Sequence, residues 1–270
     1  MSLLTCTATR PSGRQCGAHL PDLLGKSRAV PGSVVALLLA MTGSDWKEPM
    51  LLWLILALIF ASLEVIAVSK NLHKLEYLAK PAVMVCLFIW LYAGTGLLDN
   101  PFWFGLGVVF SLVGDVLLLS FERWFLLGLI AFLFAHISYI TGFMDEIATL
   151  TAWSLILAVF IAINVGRLLR RMVGAMRVKG ENKLVTPVIL YGTVISVMLY
   201  AAMSTIFDPG WKTSASFFVS LGAFLFCASD AILAWNRFVS PIRNGRVWNI
   251  VLYYLGQMGL IAGVIAQFGK

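Results

Sequence analysis

Three carboxylates stand inside stretches that are otherwise apolar: Glu64 in "FASLEVIAV", Asp115 in "SLVGDVLLL" and Asp230 in "FCASDAILA". A carboxyl group taken out of water resists ionisation. When two share a site, one holds a proton near neutral pH while its partner stays charged. Such a pair is a general acid and a general base awaiting a substrate. The plainer reading is that each carboxyl hydrogen-bonds a neighbouring helix. Asp115 and Asp230 are the candidates for catalysis.

Weaker candidates accompany them. His136 in "FLFAHISYITGF" offers either a helix-to-helix hydrogen bond or a contact to substrate. Tyr254 and Gln257 in "YYLGQMG", together with Asn236, bind either polar substrate atoms or adjacent helices, and Tyr139 reads as an interfacial aromatic. Gly259 and Gly263 form a G-x-x-x-G packing face. The sequence has no nucleophile-elbow serine, P-loop or H-E-x-x-H. Cys6, Cys16, Cys86 and Cys227 form no C-x-x-C pair, so neither a metal site nor a cofactor is expected.

The elements that must position these residues are membrane helices. Hydrophobic residues make up 60% of the 270, charged residues 12%, and mean hydropathy is +0.90. The apolar share of soluble domains is only about 45–50%. Eight windows are long enough to span a bilayer as helices: 49–69, 81–98, 101–121, 124–144, 147–166, 184–207, 213–236 and 247–268. The expected fold is an all-α, polytopic bundle over 46–270. Residues 1–45, rich in Thr, Ser, Gly, Pro and Arg, read as an appendage, either a transit segment or a stretch upstream of the true start.

A net charge of +7 suggests nucleic acid, but the distribution of the charges argues for topology instead. Thirteen Lys and Arg fall in the connections after the first, third, fifth and seventh windows, among them Lys80, Arg237, Arg246 and the run 167–183. The connections after the other windows carry Lys212 alone. The basic connections are therefore predicted to be cytoplasmic, with the lipid bilayer rather than nucleic acid as partner. On this orientation Asp115 and Asp230 each lie about 11 Å below the cytoplasmic surface, at 1.5 Å per residue. Glu64, Tyr253 and Tyr254 fall in the same layer. Lys80, read as the first turn of the second helix beside Pro81, caps it at the rim. The texts around Asp115 and Asp230 are similar at an offset of 115 residues, which hints at a parallel four-helix repeat. A charge at mid-bilayer costs about 2.5–3.5 kcal/mol even on a lenient scale, so matched acids are expected to share a cavity rather than face lipid.

The segments "AKP" (79–81), "GDVLL" (114–118), "AHISY" (135–139), "GAFLFCASDAILAWNRF" (222–238) and "YYLGQ" (253–257) resemble, in order and spacing, the YhhN-like lysoplasmalogenases. Members of that family are eight-helix membrane enzymes. The resemblance covers 50–268 and implies hydrolysis of the vinyl ether of a lysophospholipid by water, giving a fatty aldehyde and glycerophosphocholine or glycerophosphoethanolamine. A vinyl ether needs no nucleophilic residue. Protonation of the alkene gives an oxocarbenium ion, to which water adds, as at other centres served by paired carboxylates. On this reading Asp115 and Asp230 share the acid and base roles and Lys80 meets the phosphate. Asn236, Tyr254 and Gln257 hold glycerol oxygens, with Glu64 and His136 beside the substrate. The competing expectation is a proton-coupled transporter with the two aspartates as proton relay, whose helices would be broken near the site. The host is expected to be a bacterial cytoplasmic membrane or a eukaryotic endoplasmic reticulum; oligomeric state is left open.

Overall fold

Each apolar stretch satisfies its own backbone by becoming a helix, as a span must. A computed structural model describes residues 47–120, 124–144 and 151–269; the predicted appendage at 1–45 lies outside the described residues. Among the described residues eight long helices follow one another: α1 (Lys47–Ser69), α2 (His73–Thr95), α3 (Pro101–Ser120), α4 (Phe125–Phe143), α5 (Ala152–Val178), α6 (Asn182–Ser204), α7 (Thr213–Phe238) and α8 (Gly245–Phe268), with a short 3₁₀ turn at Thr205–Phe207. All eight are long and apolar enough to cross a membrane, and no strand occurs among the described residues.

Chain neighbours pair as α1/α2, α3/α4, α5/α6 and α7/α8. The C-terminal helix α8 also packs against α1, α2 and α3, and is the most buried of the spans; α5 is the least. The α7/α8 seam is closed by glycines. A Cβ on Gly222 would stand 2.4 Å from the Leu260 nitrogen, and one on Gly259 would stand 2.8 Å from the Gly222 Cα. Gly259 and Gly263 thus act as the predicted packing face, extended by Gly256 on the same helix, with Gly222 of α7 opposing them. Phe226, Tyr253, Tyr254 and Leu260 form the adjoining core.

Two boundaries differ from the hydropathy windows in ways that change the site. Window 81–98 begins at Pro81, but α2 begins at His73 and carries Pro81 in its interior. Its opening residues hold Lys74, Glu76 and Lys80, charges that an average over the window penalises. They are accommodated because Glu76 and Lys80 pair with Arg246 and Asp115 inside the bundle. The same helix stops at Thr95, where Gly96 takes the left-handed conformation at φ 73° and its N–H bonds the Tyr92 carbonyl. The second difference concerns 167–183, read as a long connection. Helix α5 instead continues to Val178, with Met172 and Met176 buried between exposed positions, so hydropathy falls while the helix persists as an amphipathic one.

Candidate functional site

Asp115 sits on α3, almost fully buried. Its Oδ2 accepts a 2.8 Å hydrogen bond from the Tyr253 hydroxyl of α8, and its Oδ1 lies 3.2 Å from Lys80 Nζ of α2. Gly114 makes the position possible: a Cβ there would be 2.6 Å from the Phe132 ring of α4. Lys80 is therefore not at a rim, as its place beside Pro81 suggested. Its side chain is 13% exposed and already paired, because α2 starts two turns earlier than the hydropathy window.

Asp230 of α7 is held by a different set. The Tyr191 hydroxyl of α6 donates to its Oδ2, and His136 Nε2 of α4 lies 3.4 Å from the same oxygen and 3.0 Å from the Tyr191 hydroxyl. His136 is fully buried, with its ring 4.9 Å from that of Phe226, and its Nδ1 has no hydrogen-bond partner among the described residues. Beside Asp230, Ser229 and Asn249 exchange hydrogen bonds of 2.8–2.9 Å that staple α7 to α8.

The two aspartates open onto one cavity of about 620 Å³, whose walls also include Lys80, Glu76, Arg246 and Tyr253. This is the shared chamber expected from their matched depth. A narrower apolar groove of about 70 Å³ runs beside it, between Val165, Leu169 and Met172 of α5, Gly192 and Ile195 of α6, and Ala231 of α7. Among the residues common to both linings, Asp230 alone is polar; the others are Leu118, Phe125, Phe132 and Leu233.

The remaining candidates are placed apart from that chamber. Glu64 of α1 is fully buried and accepts a hydrogen bond from Tyr254; its Oε1 has no hydrogen-bond partner among the described residues, and neither residue lines the chamber. Gln257 accepts from the Tyr139 hydroxyl at 2.8 Å and donates to Ser111 Oγ at 3.0 Å, tying α8 to α4 and α3. Asn236 Oδ1 accepts the Ile242 N–H at 2.7 Å, and its amide fills the space above Gly245, so it shapes the α7–α8 turn.

Sequence reasoning passed over Glu76, Tyr191 and Asn249. Glu76 and Lys80 are four residues apart, a spacing that puts both on one helical face, but the signal exists only once α2 is known to begin at His73. Tyr191 stands in an apolar window with nothing nearby to tie it to Asp230. Among the described residues no three His, Cys, Asp or Glu side chains converge as a metal site.

Comparison with known proteins places this arrangement among relatives. The chain is 29% identical to lysoplasmalogenase TMEM86B of Mus musculus over 202 residues, covering 70% of this chain and 74% of that protein. It is 28% identical to lysoplasmalogenase TMEM86B of Homo sapiens, covering 67% and 71%. A lysoplasmalogenase homolog of Dictyostelium discoideum is 29% identical over 63% of each chain. No solved structure matches. The pattern of the YhhN family is met at residues 75–264, a stretch that holds both aspartates and most of the bundle, and the chain belongs to the YhhN family.

Proposed function

We propose that the protein is a membrane hydrolase that cleaves the vinyl ether bond of lysoplasmalogens. The observation that carries this reading is the position of Asp230. It stands where a polar chamber, lined by Lys80, Asp115 and Arg246, meets an apolar groove. A single-chain lipid laid along the two has its head group in the chamber and the first part of its hydrocarbon in the groove. The bond between them, the vinyl ether, falls at Asp230. The lysoplasmalogenases among its relatives support the same substrate class.

The chemistry follows from the two environments. Asp230, in the general-acid role, gives a proton to the alkene carbon remote from oxygen, and the adjoining carbon becomes an oxocarbenium ion. Asp115, a carboxylate paired with Lys80, stabilises that positive charge. Water adds to the cation and gives up a proton to the Asp230 carboxylate, leaving a hemiacetal. The bond to glycerol then breaks: the Asp230 carboxyl gives its proton to the leaving glycerol oxygen and takes the proton of the hemiacetal hydroxyl, and the aldehyde departs. One water is consumed and Asp230 ends as it began. The Tyr191 hydroxyl, itself hydrogen-bonded to His136, donates to one oxygen of the Asp230 carboxyl and leaves Oδ1 for the substrate.

A proton-coupled transporter would need helices interrupted near the site. Both α3 and α7 run through their aspartates as unbroken helices, which favours the hydrolase. The test is aldehyde release from lysoplasmalogen by the purified protein in detergent. Activity is expected for the native chain and absent from Asp115→Asn and Asp230→Asn; full activity in both variants would overturn the assignment.

A further inference from the structure

Among the described residues three lysine and arginine side chains line the chamber: Lys80, Arg237 and Arg246. They differ in what already holds them. Lys80 is buried against Asp115, and Arg237 lies over the Phe125 ring at 5.4 Å. Arg246 is different. Its Nη2 donates a 2.6 Å hydrogen bond to Glu76 Oε1, yet its side chain remains 59% exposed while that of Glu76 is 5% exposed. A guanidinium has five N–H donors in a rigid fork, and one bond to a buried carboxylate fixes the plane without using the rest.

We propose that Arg246, aimed by Glu76, is the ligand for the phosphate of the substrate head group, and that the protein thereby selects a phospholipid over its phosphate-free counterpart. The proposal rests on the lysoplasmalogen reading above. It moves the phosphate from Lys80, the residue the sequence suggested, to a cation whose donors are open to the chamber. Among the described residues the carboxylates of Glu76 and Asp115 offset two of the three cations of the lining, so no large net field draws an anion in. Recognition must come from directed donors, and an arginine fork suits phosphate oxygens. The position agrees as well. Arg246 is in the first turn of α8, at the positive end of the helix dipole. Tyr253, which holds Asp115, lies seven residues further on, roughly 10 Å along the axis.

Glu76 is a positioning residue in this scheme. Removing Arg246 alone would strand its buried carboxylate, so the informative variant neutralises both partners: Glu76→Gln with Arg246→Gln, in which two amides can still bond each other. Two substrates are compared in one detergent, a lysoplasmalogen and the 1-alkenylglycerol that lacks its phosphate. The double variant is expected to lose about ten- to a hundredfold in kcat/KM on the phospholipid, chiefly through KM, and to change little on the alkenylglycerol. Glu76→Gln alone should raise KM for the phospholipid only. Equal losses on both substrates, or no loss on the phospholipid, would overturn the proposal. Competition by inorganic phosphate with lipid discrimination unaltered in the double variant would mark a free-anion site, and would overturn it too. Binding of the saturated alkyl ether lysophospholipid, set against alkylglycerol by calorimetry, reads the same discrimination without turnover. Failure of the reaction and failure of the phosphate assignment are thus separable.

Discussion

Lys80 Nζ lies 3.2 Å from Asp115 Oδ1 in the interior of the bundle, joining α2 to α3 at the chamber wall. Removing one partner of a buried ion pair leaves the other charge uncompensated, which typically costs about 3–5 kcal/mol, whereas removing both costs far less. Lys80→Met is therefore expected to lower the thermal midpoint in detergent by more than Lys80→Met with Asp115→Asn. The double-mutant cycle should show coupling of about 0.5–3 kcal/mol. Additive losses would mean that the two groups do not act as a pair.

Tyr191 donates to the same Asp230 oxygen that His136 approaches. A hydrogen bond to a charged or charging group is worth about 1.5–3 kcal/mol. Tyr191→Phe keeps the ring that packs edge-on to His136 at 5.4 Å and removes only the hydroxyl. We expect kcat for aldehyde release to fall about ten- to a hundredfold with KM little changed, since the bond orients the acid rather than the lipid. A rise in KM at constant kcat would place Tyr191 in lipid binding instead.

The span count was legible because length and apolarity together admit few alternatives in a bilayer. Asp115 and Asp230 were legible for the same reason, since a carboxyl in such a stretch has no soluble-protein explanation. Lys80 was seen but misplaced in depth, because hydropathy averaging cannot distinguish a charged loop from a charged helix whose partners lie on other helices. Glu76 was hidden by that same averaging. Tyr191, His136 and Asp230 come from α6, α4 and α7, and their convergence is a property of packing that no spacing along the chain records.

The groove predicts chain-length preference. Gly192 on α6 leaves room for Leu169: a Cβ there would meet Leu169 Cδ2 at 2.7 Å, and both residues line the groove. Ser196, one turn on, lines it too. Ser196→Phe should obstruct hydrocarbon while leaving the chamber intact, and each methylene kept from burial forfeits about 0.8 kcal/mol. The ratio of kcat/KM for long-chain over short-chain lysoplasmalogens is expected to fall, with the short-chain value nearly unchanged. An unaltered ratio would show that the chain lies elsewhere.

The α7/α8 seam sets the distance between Asp230 on one helix and Tyr253 on the other, and it is built on backbone contact. At Gly222 an added methyl would meet main-chain atoms of Leu260, Gly256 and Gly259 at 2.4–2.8 Å. Main chain cannot rotate away as a side-chain tip can, so the helices must separate. Overpacking of this kind costs about 1–3 kcal/mol or more, and here it also moves the two elements that hold the site. Gly222→Ala is thus expected to lower the melting midpoint and activity together. Gly166 on α5 is the matched control, with nothing within 4 Å of its would-be Cβ. There the same substitution gains helix propensity worth up to about 1 kcal/mol and should be neutral or stabilising, with activity retained. If Gly222→Ala melted and turned over like Gly166→Ala, close approach of α7 and α8 would not be what aligns the aspartate with the tyrosine.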